Sequence, residues 1–458
     1  MAVRITVPAI WLSALMTLGC TPLVQYRTNY EPCSSADPAH ECVDRAIQHF
    51  MPAASTVPGD GYWLGFVEFD DQGQLFDRRQ MYAVLGQIAL QSAKDDSIVV
   101  VFVHGWKHNA REGDDNIDHF RDVLRRLSQT EYAFSMSQGL QARKVLGVYL
   151  GWRGESVSIP GLDNVSFWDR KNTAHKVGHG AVTEVLNRID QIRQTKDAED
   201  GSGHSRSRVV VVGHSFGGAV VYSALEQILE SRFVQASSTP GVVGDAAGFG
   251  NLVVLVNPAF EALLYAPLSD MSTERTTYFA SQLPVLAVMT SVADDATKIA
   301  FPMGRWFSQF FEKERTETRT NPISHATESI SEHRADITTV GHFAPYWTHT
   351  LRASGKTAAE VHARPADERA RSVLNVAQSW EDDHPGSTID FPGSVLERTT
   401  NSAGRNPYLV ISVAGTLIPS HDAIWDPRVE SFIAHLILVT SQSGDLSERR
   451  AQRKTGLK

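Results

Sequence analysis

The chain has 458 residues, 42% hydrophobic and 21% charged, a composition ordinary for a globular protein that buries a large core. The net charge of -9 is spread along the chain with no long basic run, which excludes a nucleic-acid footprint. Beyond the N-terminus no segment offers the roughly 18 continuous apolar residues a membrane helix needs.

Taken in chain order, residues 1–19 read as a signal segment, with Arg4 as the positive charge and an apolar run from Ile5 to Leu18. Its ending, Thr17-Leu18-Gly19-Cys20, resembles a bacterial lipoprotein signal, with Thr17 where that pattern usually has Leu. The resemblance implies lipid on Cys20, export, and attachment to a membrane facing the periplasm or cell exterior. Cys33 and Cys42 then remain as an even pair in an oxidising compartment and are expected to form a disulfide. Residues 20–57 read as a polar tether with one short helix near Val43–Phe50.

Tyr62–Phe69 alternates apolar and polar residues, Asp71-Gln72-Gly73 supplies a turn, and Gln74–Met81 returns, a hairpin signal. Thereafter buried runs alternate with helical periodicity. Strands are expected at Ile98–Val103, Val145–Leu150, Val209–Val212, Leu252–Val256 and Val285–Met289. Helices are expected at Asp115–Leu127, Ala174–Ile192 and Gly218–Leu229. Strands apolar at consecutive positions and separated by helices indicate a mostly parallel central sheet covered on both faces. Residues 297–405 are less regular, with an aromatic-rich stretch at 301–311 and a polar stretch at 354–406, and read as an insertion, part cap. Tyr408–Val413 returns as a strand, and Asp426-Pro427 starts the last helix, with a polar tail at 441–458. Residues 58–440 are thus expected to form the main domain.

Gly213-His214-Ser215-Phe216-Gly217, between a strand and a helix, has the spacing of a nucleophile elbow. Ser215 would sit at strained dihedrals on a sharp turn, where side chains at 213 and 217 would clash. The helix N-terminus would point N–H groups at its oxygen. His214 points elsewhere at such a turn and is not taken as the base.

With these residues in view, the chain resembles α/β-hydrolase esterases and lipases over roughly residues 60–440. The resemblance implies an α/β-hydrolase fold with a C-terminal-half insertion. Val103-His104-Gly105-Trp106 looks like that fold's oxyanion loop, so the Trp106 and Phe216 N–H groups are expected to hold the developing oxyanion. His104, Gly105 and Trp152 are expected to line the substrate edge. The family's chain order of nucleophile, acid and base places the acid after Val285–Met289, at Asp294 with Asp295 as rival. Two sites compete for the base. His342 has a local Gly-His pair, whereas His421 lies between a strong strand and the last helix and is favoured; His349 is third. His175 and His179, at i and i+4, find no third ligand and read as a surface pair, so no metal is assigned. No cofactor is implied.

The reading is a carboxylic-ester hydrolase acting on small-molecule or lipid esters through an acyl-enzyme. A peptidase or thioesterase on the same triad is the first alternative, because fold and triad do not choose the acyl substrate. A non-catalytic binding protein is the second.

Overall fold

Strand Ser97–Val103, Ser-Ile-Val-Val-Val-Phe-Val, is buried along its whole length. Val99, Val101 and Val103 face one apolar layer, while Ile98, Val100 and Phe102 face the other. Consecutive β-branched residues therefore serve two cores at once, which is why no polar alternation shows in the sequence. Arg208–His214 repeats the pattern, with Val209 and Val211 on one side and Val210 and Val212 on the other. The structure, a computed structural model, describes residues 21–52, 59, 61–154, 163–200, 205–238, 241–242, 244–300 and 314–440.

The strands are β1 (Cys33–Ser35), β2 (Ile47–Phe50), β3 (Tyr62–Glu68), β4 (Ser97–Val103), β5 (Lys144–Gly151) and β6 (Arg208–His214). They continue with β7 (Ser237–Ser238), β8 (Gly241–Val242), β9 (Leu252–Val256), β10 (Leu286–Ser291) and β11 (Thr316–Thr320). Last come β12 (Thr327–Ser331), β13 (His349–Ala353), β14 (Thr388–Phe391), β15 (Ser394–Arg398) and β16 (Tyr408–Val413). Twelve of them form one sheet, ordered β1-β2-β3-β5-β4-β6-β9-β10-β16-β13-β15-β14. From β3 to β13 neighbours run parallel, so the carboxyl ends of β4, β5, β6, β9, β10 and β16 share one edge. β2 on β3, β15 on β13 and β14 on β15 are antiparallel. Helices cover both faces, as expected of an α/β-hydrolase fold. Among the described residues no helix is long and apolar enough to cross a membrane.

Several local expectations are corrected. The segment read as a tether is part of the sheet: Ile47–Phe50 is a strand, and the short helix lies earlier, at Pro38–Glu41. The cause is a buried polar network. Arg27, 0% exposed, donates to Ala110 O (2.8 Å) and Glu112 (2.8 Å), and its guanidinium lies over the Phe66 ring. Tyr26 and Arg27 N–H groups each donate to Glu68 at 2.8 Å. Cys33 and Cys42 are joined, with Cα atoms 5.9 Å apart.

The turn after β3 is present, but its return is one bridge, Phe69 to Leu75, before Asp77 caps a helix at Arg78–Lys94. Asp77 accepts the Arg79 N–H, and the helical apolar face at Met81, Val84, Leu85 and Ile88 outweighs the apparent alternation. The helix expected at Ala174–Ile192 is two helices, Asp163–Val177 and Thr183–Glu199, joined by a π turn with Gly180 at ψ -142°. Gly73 O accepts the Ala181 N–H there at 2.8 Å, and a Cβ on Gly180 would lie 2.4 Å from that oxygen.

Residues 343–398, expected within an insertion that part-caps the site, widen the sheet instead, adding β13, β15 and β14 beyond β16. Helix Ala366–Glu381 lays Ala370, Val373, Val376 and Trp380 on the same apolar layer as Phe120 and Leu124. Ahead of His342, helix Glu332–Ile337 ends and a single 3-10 turn, Val340–His342, follows. The signal segment with Cys20, the aromatic stretch 301–311 and the tail 441–458 lie outside the described residues.

Candidate active site

β6 ends at His214, and helix Phe216–Gln235 starts two residues later, leaving Ser215 alone on the turn. Its backbone sits at φ 56°, ψ -121°, a region costly for a residue with a Cβ. The turn is held from several sides. Ser215 N donates to Val256 O (3.0 Å), and Ser215 O accepts the N–H groups of Gly218 (3.0 Å) and Ala259 (3.1 Å). A Cβ on Gly217 would meet Val103 O at 2.0 Å, and one on Gly213 would meet Gly217 O at 2.7 Å. Both positions therefore demand glycine, because the nucleophile turn is wedged against the end of β4.

His421 Nε2 lies 2.7 Å from Ser215 Oγ, and His421 Nδ1 lies 2.9 Å from Asp294 Oδ1. The structure thus brings Ser215, His421 and Asp294 together from the exits of β6, β10 and β16. Asp294 is fully buried, whereas Asp295 is exposed. Asp294 also accepts the Thr297 N–H (3.2 Å) and the Thr297 hydroxyl. Burial pushes the Asp294 carboxyl up, but the bonds from His421 and Thr297 outweigh it and hold the group below its ordinary value. Burial pulls His421 down, and the hydrogen bond and charge of Asp294 overcome it, leaving the imidazole above its ordinary value.

The competing histidines stand elsewhere. His342 Nε2 is 3.0 Å from Thr297 Oγ1, behind the acid and away from the serine. Its position in a 3-10 turn rather than after a strand explains why the Gly-His pair does not reach Ser215. His349 is buried in β13, with Nδ1 2.8 Å from Thr348 Oγ1.

Asn257, Ser291 and Thr297, which sequence reasoning did not single out, hold these groups in place together with His214. Asn257 follows β9 at φ 44° and donates from Nδ2 to His421 O (2.9 Å), while its Oδ1 accepts the Ser291 N–H (3.0 Å). One amide therefore ties the loop of the base to the exit strand of the acid. Ser291 Oγ donates to Ile418 O at 2.5 Å, a second tie between the same two loops. His214 Nε2 donates to His421 O (3.1 Å), and burial lowers that imidazole to about 3, so it is neutral. Thr297 completes the set. The available signal was an Asn leaving a strand, since Asn tolerates positive φ.

The loop after β4 is braced from within. Trp152 N–H donates to His104 Nε2 (3.0 Å), so His104 carries its proton on Nδ1 and donates to Gly105 O (2.9 Å). Trp152 Nε1–H donates to His104 O at 3.0 Å, and the rings stack. Burial brings His104 down to about 4, which keeps it neutral. His104 and Trp152, expected at the substrate edge, are 0% and 3% exposed, so they hold the loop rather than present themselves to a ligand. Gly105 does reach the site: a Cβ there would lie 2.8 Å from Ser215 Cβ.

His175 Nδ1 pairs with Ser223 Oγ (2.9 Å), and His179 lies inside the π turn that begins at Gly178, so the two do not share a regular helical face. Among the described residues His214, His421 and Asp422 offer ligand atoms within 4.8 Å of one another. Both His421 nitrogens are already engaged by Ser215 and Asp294, so a metal there would dismantle the arrangement.

The profile of the Alpha/beta hydrolase family matches residues 100–416. No curated protein matches the chain. Among solved structures, the chain is similar to phospholipase PlaB from Legionella pneumophila in complex with thio-NAD, at 12% identity over 78% of this chain and 64% of that one, TM-score 0.24. A second structure of phospholipase PlaB from Legionella pneumophila is similar at 11% identity over 78% and 65%, TM-score 0.23. The chain spans less than two thirds of the length of these proteins.

Proposed function

Because the chain belongs to the alpha/beta hydrolase family, we propose that it is a serine hydrolase of carboxylic esters, with Ser215 as nucleophile, His421 as base and Asp294 as the acid that orients it. The observation that carries this is the unbroken hydrogen-bond chain from Ser215 Oγ through His421 to Asp294. Ser215 Oγ attacks the acyl carbon while His421 Nε2 takes its proton, and buried Asp294 stabilises the imidazolium. The Phe216 and Trp106 N–H groups receive the oxyanion. The tetrahedral adduct collapses as His421 returns the proton to the leaving alkoxide. Water, deprotonated by the same nitrogen, then releases the acid from Ser215. The reaction needs no group beyond these residues.

The protein is further proposed to be exported and held at a membrane by lipid on Cys20. The sequence Thr17-Leu18-Gly19-Cys20 and the Cys33–Cys42 disulfide, a bond of oxidising compartments, support this. The test of the hydrolase reading is labelling by a fluorophosphonate probe, followed by turnover of p-nitrophenyl esters of rising chain length. Labelling of the wild type and none of a folded Ser215→Ala protein is expected. Equal labelling of both would refute it.

A further inference from the structure

We infer that the carboxyl edge of the sheet, where Ser215 lies, is the face this protein turns to a lipid bilayer, and that the esters it meets are those of bilayer lipids. The inference rests on the hydrolase reading and on acylated Cys20.

Its basis is the place where the chain leaves the fold. Thr21, the residue after Cys20, is fixed: its carbonyl accepts Arg153 Nη1–H at 2.8 Å. Arg153 lies two residues beyond the end of β5, on the same edge as Ser215. Its guanidinium is itself held by Asp71, which also receives Arg170 Nη1–H at 2.8 Å. The following residues continue along that edge, with Tyr26 and Arg27 bound to Glu68 at the end of β3.

Geometry then limits where the anchor enters. β5 and β6 are separated only by β4, so their ends lie about 10 Å apart at the usual strand spacing. The Cα of Cys20 is about 3.8 Å from that of Thr21 whatever its conformation. Two residues and the Arg153 side chain join the end of β5 to Thr21, so acyl chains on Cys20 enter the bilayer at this edge, within roughly 30 Å of the nucleophile's strand end. An anchor whose next residue is bound to the fold on this edge turns the edge that carries Ser215 toward the bilayer. An anchor at the amino edge would have pointed the site away.

Apolar side chains on the edge agree with this placement. Leu23 and Val24, beside the anchor, are each 45% exposed, and Val292, between Ser291 and Asp294, is 46% exposed. Singly such residues are common; here Val292 follows β10, and Leu23 and Val24 line one cavity with Gly151, Trp152 and Arg153 at the exit of β5.

The test uses the mature acylated chain in phosphatidylcholine vesicles. A fluorophore is placed at Val292→Cys on the carboxyl edge or at Met136→Cys, near the far end of helix Asp115–Ser137 on the opposite edge. Lipids carrying a headgroup nitroxide should quench the Val292 position several-fold more than the Met136 position. Equal quenching, or the reverse order, overturns the orientation. The Cys20→Ser chain should lose the Val292 quenching, and its persistence would overturn the anchor as the cause. Neither readout depends on catalysis, so a failure here is distinct from a failure of fluorophosphonate labelling. A flexible Gly/Ser linker of about 20 residues between Cys20 and Thr21 adds slack of roughly 25 Å. It should reduce hydrolysis of vesicle lipid about ten-fold while leaving p-nitrophenyl butyrate turnover unchanged. Unchanged hydrolysis of both substrates overturns the assignment of bilayer lipid as substrate.

Discussion

His342 stands 3.0 Å from Thr297 Oγ1, and Thr297 in turn donates to Asp294, so both histidines connect to the same carboxylate, His421 directly and His342 through Thr297. Only His421 also touches Ser215. His421→Ala should therefore lose as much activity as Ser215→Ala, roughly three orders of magnitude or more, and the double variant should be scarcely worse. His342→Ala should lose about ten-fold or less, because Thr297 still donates to Asp294 through its own N–H. Ester kinetics on the single and double variants decide this. A dead His342→Ala beside an active His421→Ala would reverse the assignment.

The pH dependence follows from the same pair. His421 must be neutral to accept the serine proton, and its imidazole is held above the ordinary value of 6.5. The acid limb of kcat/KM should fall as pH drops through a value above 6.5. Asp294→Asn removes the charge that raises His421, so the limb should move to lower pH while kcat falls by orders of magnitude. The stability terms run in opposite directions. The raised His421 contributes stability that is present below 6.5 and lost as pH rises through its folded value. The depressed Asp294 contributes stability that is present above 3.8 and lost as pH falls through its folded value. An acid limb that stays in place in Asp294→Asn would separate the limb from His421.

Asn257 offers a test of positioning without touching Ser215. Asn257→Gly accepts the positive φ of 44° but removes both the donor to His421 O and the acceptor for Ser291 N–H. A buried amide left unpaired costs about 1–3 kcal/mol. The expected outcome is a kcat lowered about 10–100-fold at nearly unchanged KM, because the loops of the acid and the base lose their shared tie. Asn257→Asp keeps the acceptor and should recover part of the loss. A drop in melting temperature with kcat intact would make the residue structural alone.

What the sequence carried and what it did not divide along a physical line. The elbow, the buried strands and the last helix are set by residues close together in the chain: glycines at 213 and 217, β-branched runs, and Asp426 before Pro427. His421 is favoured in the sequence by topology, from a strand before it and a helix after it, and the structure places it 2.7 Å from Ser215 Oγ. The N-terminal segment was misread because its polar residues are buried by pairing with distant ones. Arg27 meets Glu112, and Gln48 meets Arg121, 85 and 73 residues away in the chain. Local polarity is the same for a tether and for a network of this kind. The region around β13 to β15 was misread for a related reason. Thr388–Phe391 reads as polar because its exposed face is polar, while Ile389 and Phe391 are buried.

The paired charges around Arg27 yield a prediction about folding. Arg27→Met removes a buried cation that Glu112 and the Ala110 and Val43 carbonyls accept from, leaving the buried Ala110 carbonyl without that donor and Glu112 to Arg121. Breaking such a network from one side typically costs about 3–5 kcal/mol. The variant should melt well below the wild type, with the N-terminal segment cleaved first in limited proteolysis. An unchanged melting temperature would show that the segment does not stabilise the sheet it joins.

Glu430 gives a prediction of opposite sign for a carboxylate. It sits in the first turn of helix Pro427–Thr440, beside a largely apolar cavity lined by Val123, Leu127, Ile433 and Ala434. Burial raises its carboxyl to about 7, with Asp122 and Asp426 adding to the rise and Arg126, 2.9 Å away, opposing it. Between 4.5 and about 7 the folded chain therefore binds this proton more than the unfolded chain does. Stability must fall as pH rises through that window. The full effect is at most about 3 kcal/mol, taking 1.36 kcal/mol per pKa unit. Glu430→Gln keeps an acceptor for Arg126 and removes the titration. It should match the wild type near pH 4 and melt higher than it at pH 8. Denaturation midpoints at the two pH values measure this directly. A variant less stable than the wild type at pH 8 would mean that the Arg126 charge pair outweighs the cost of burying the carboxylate.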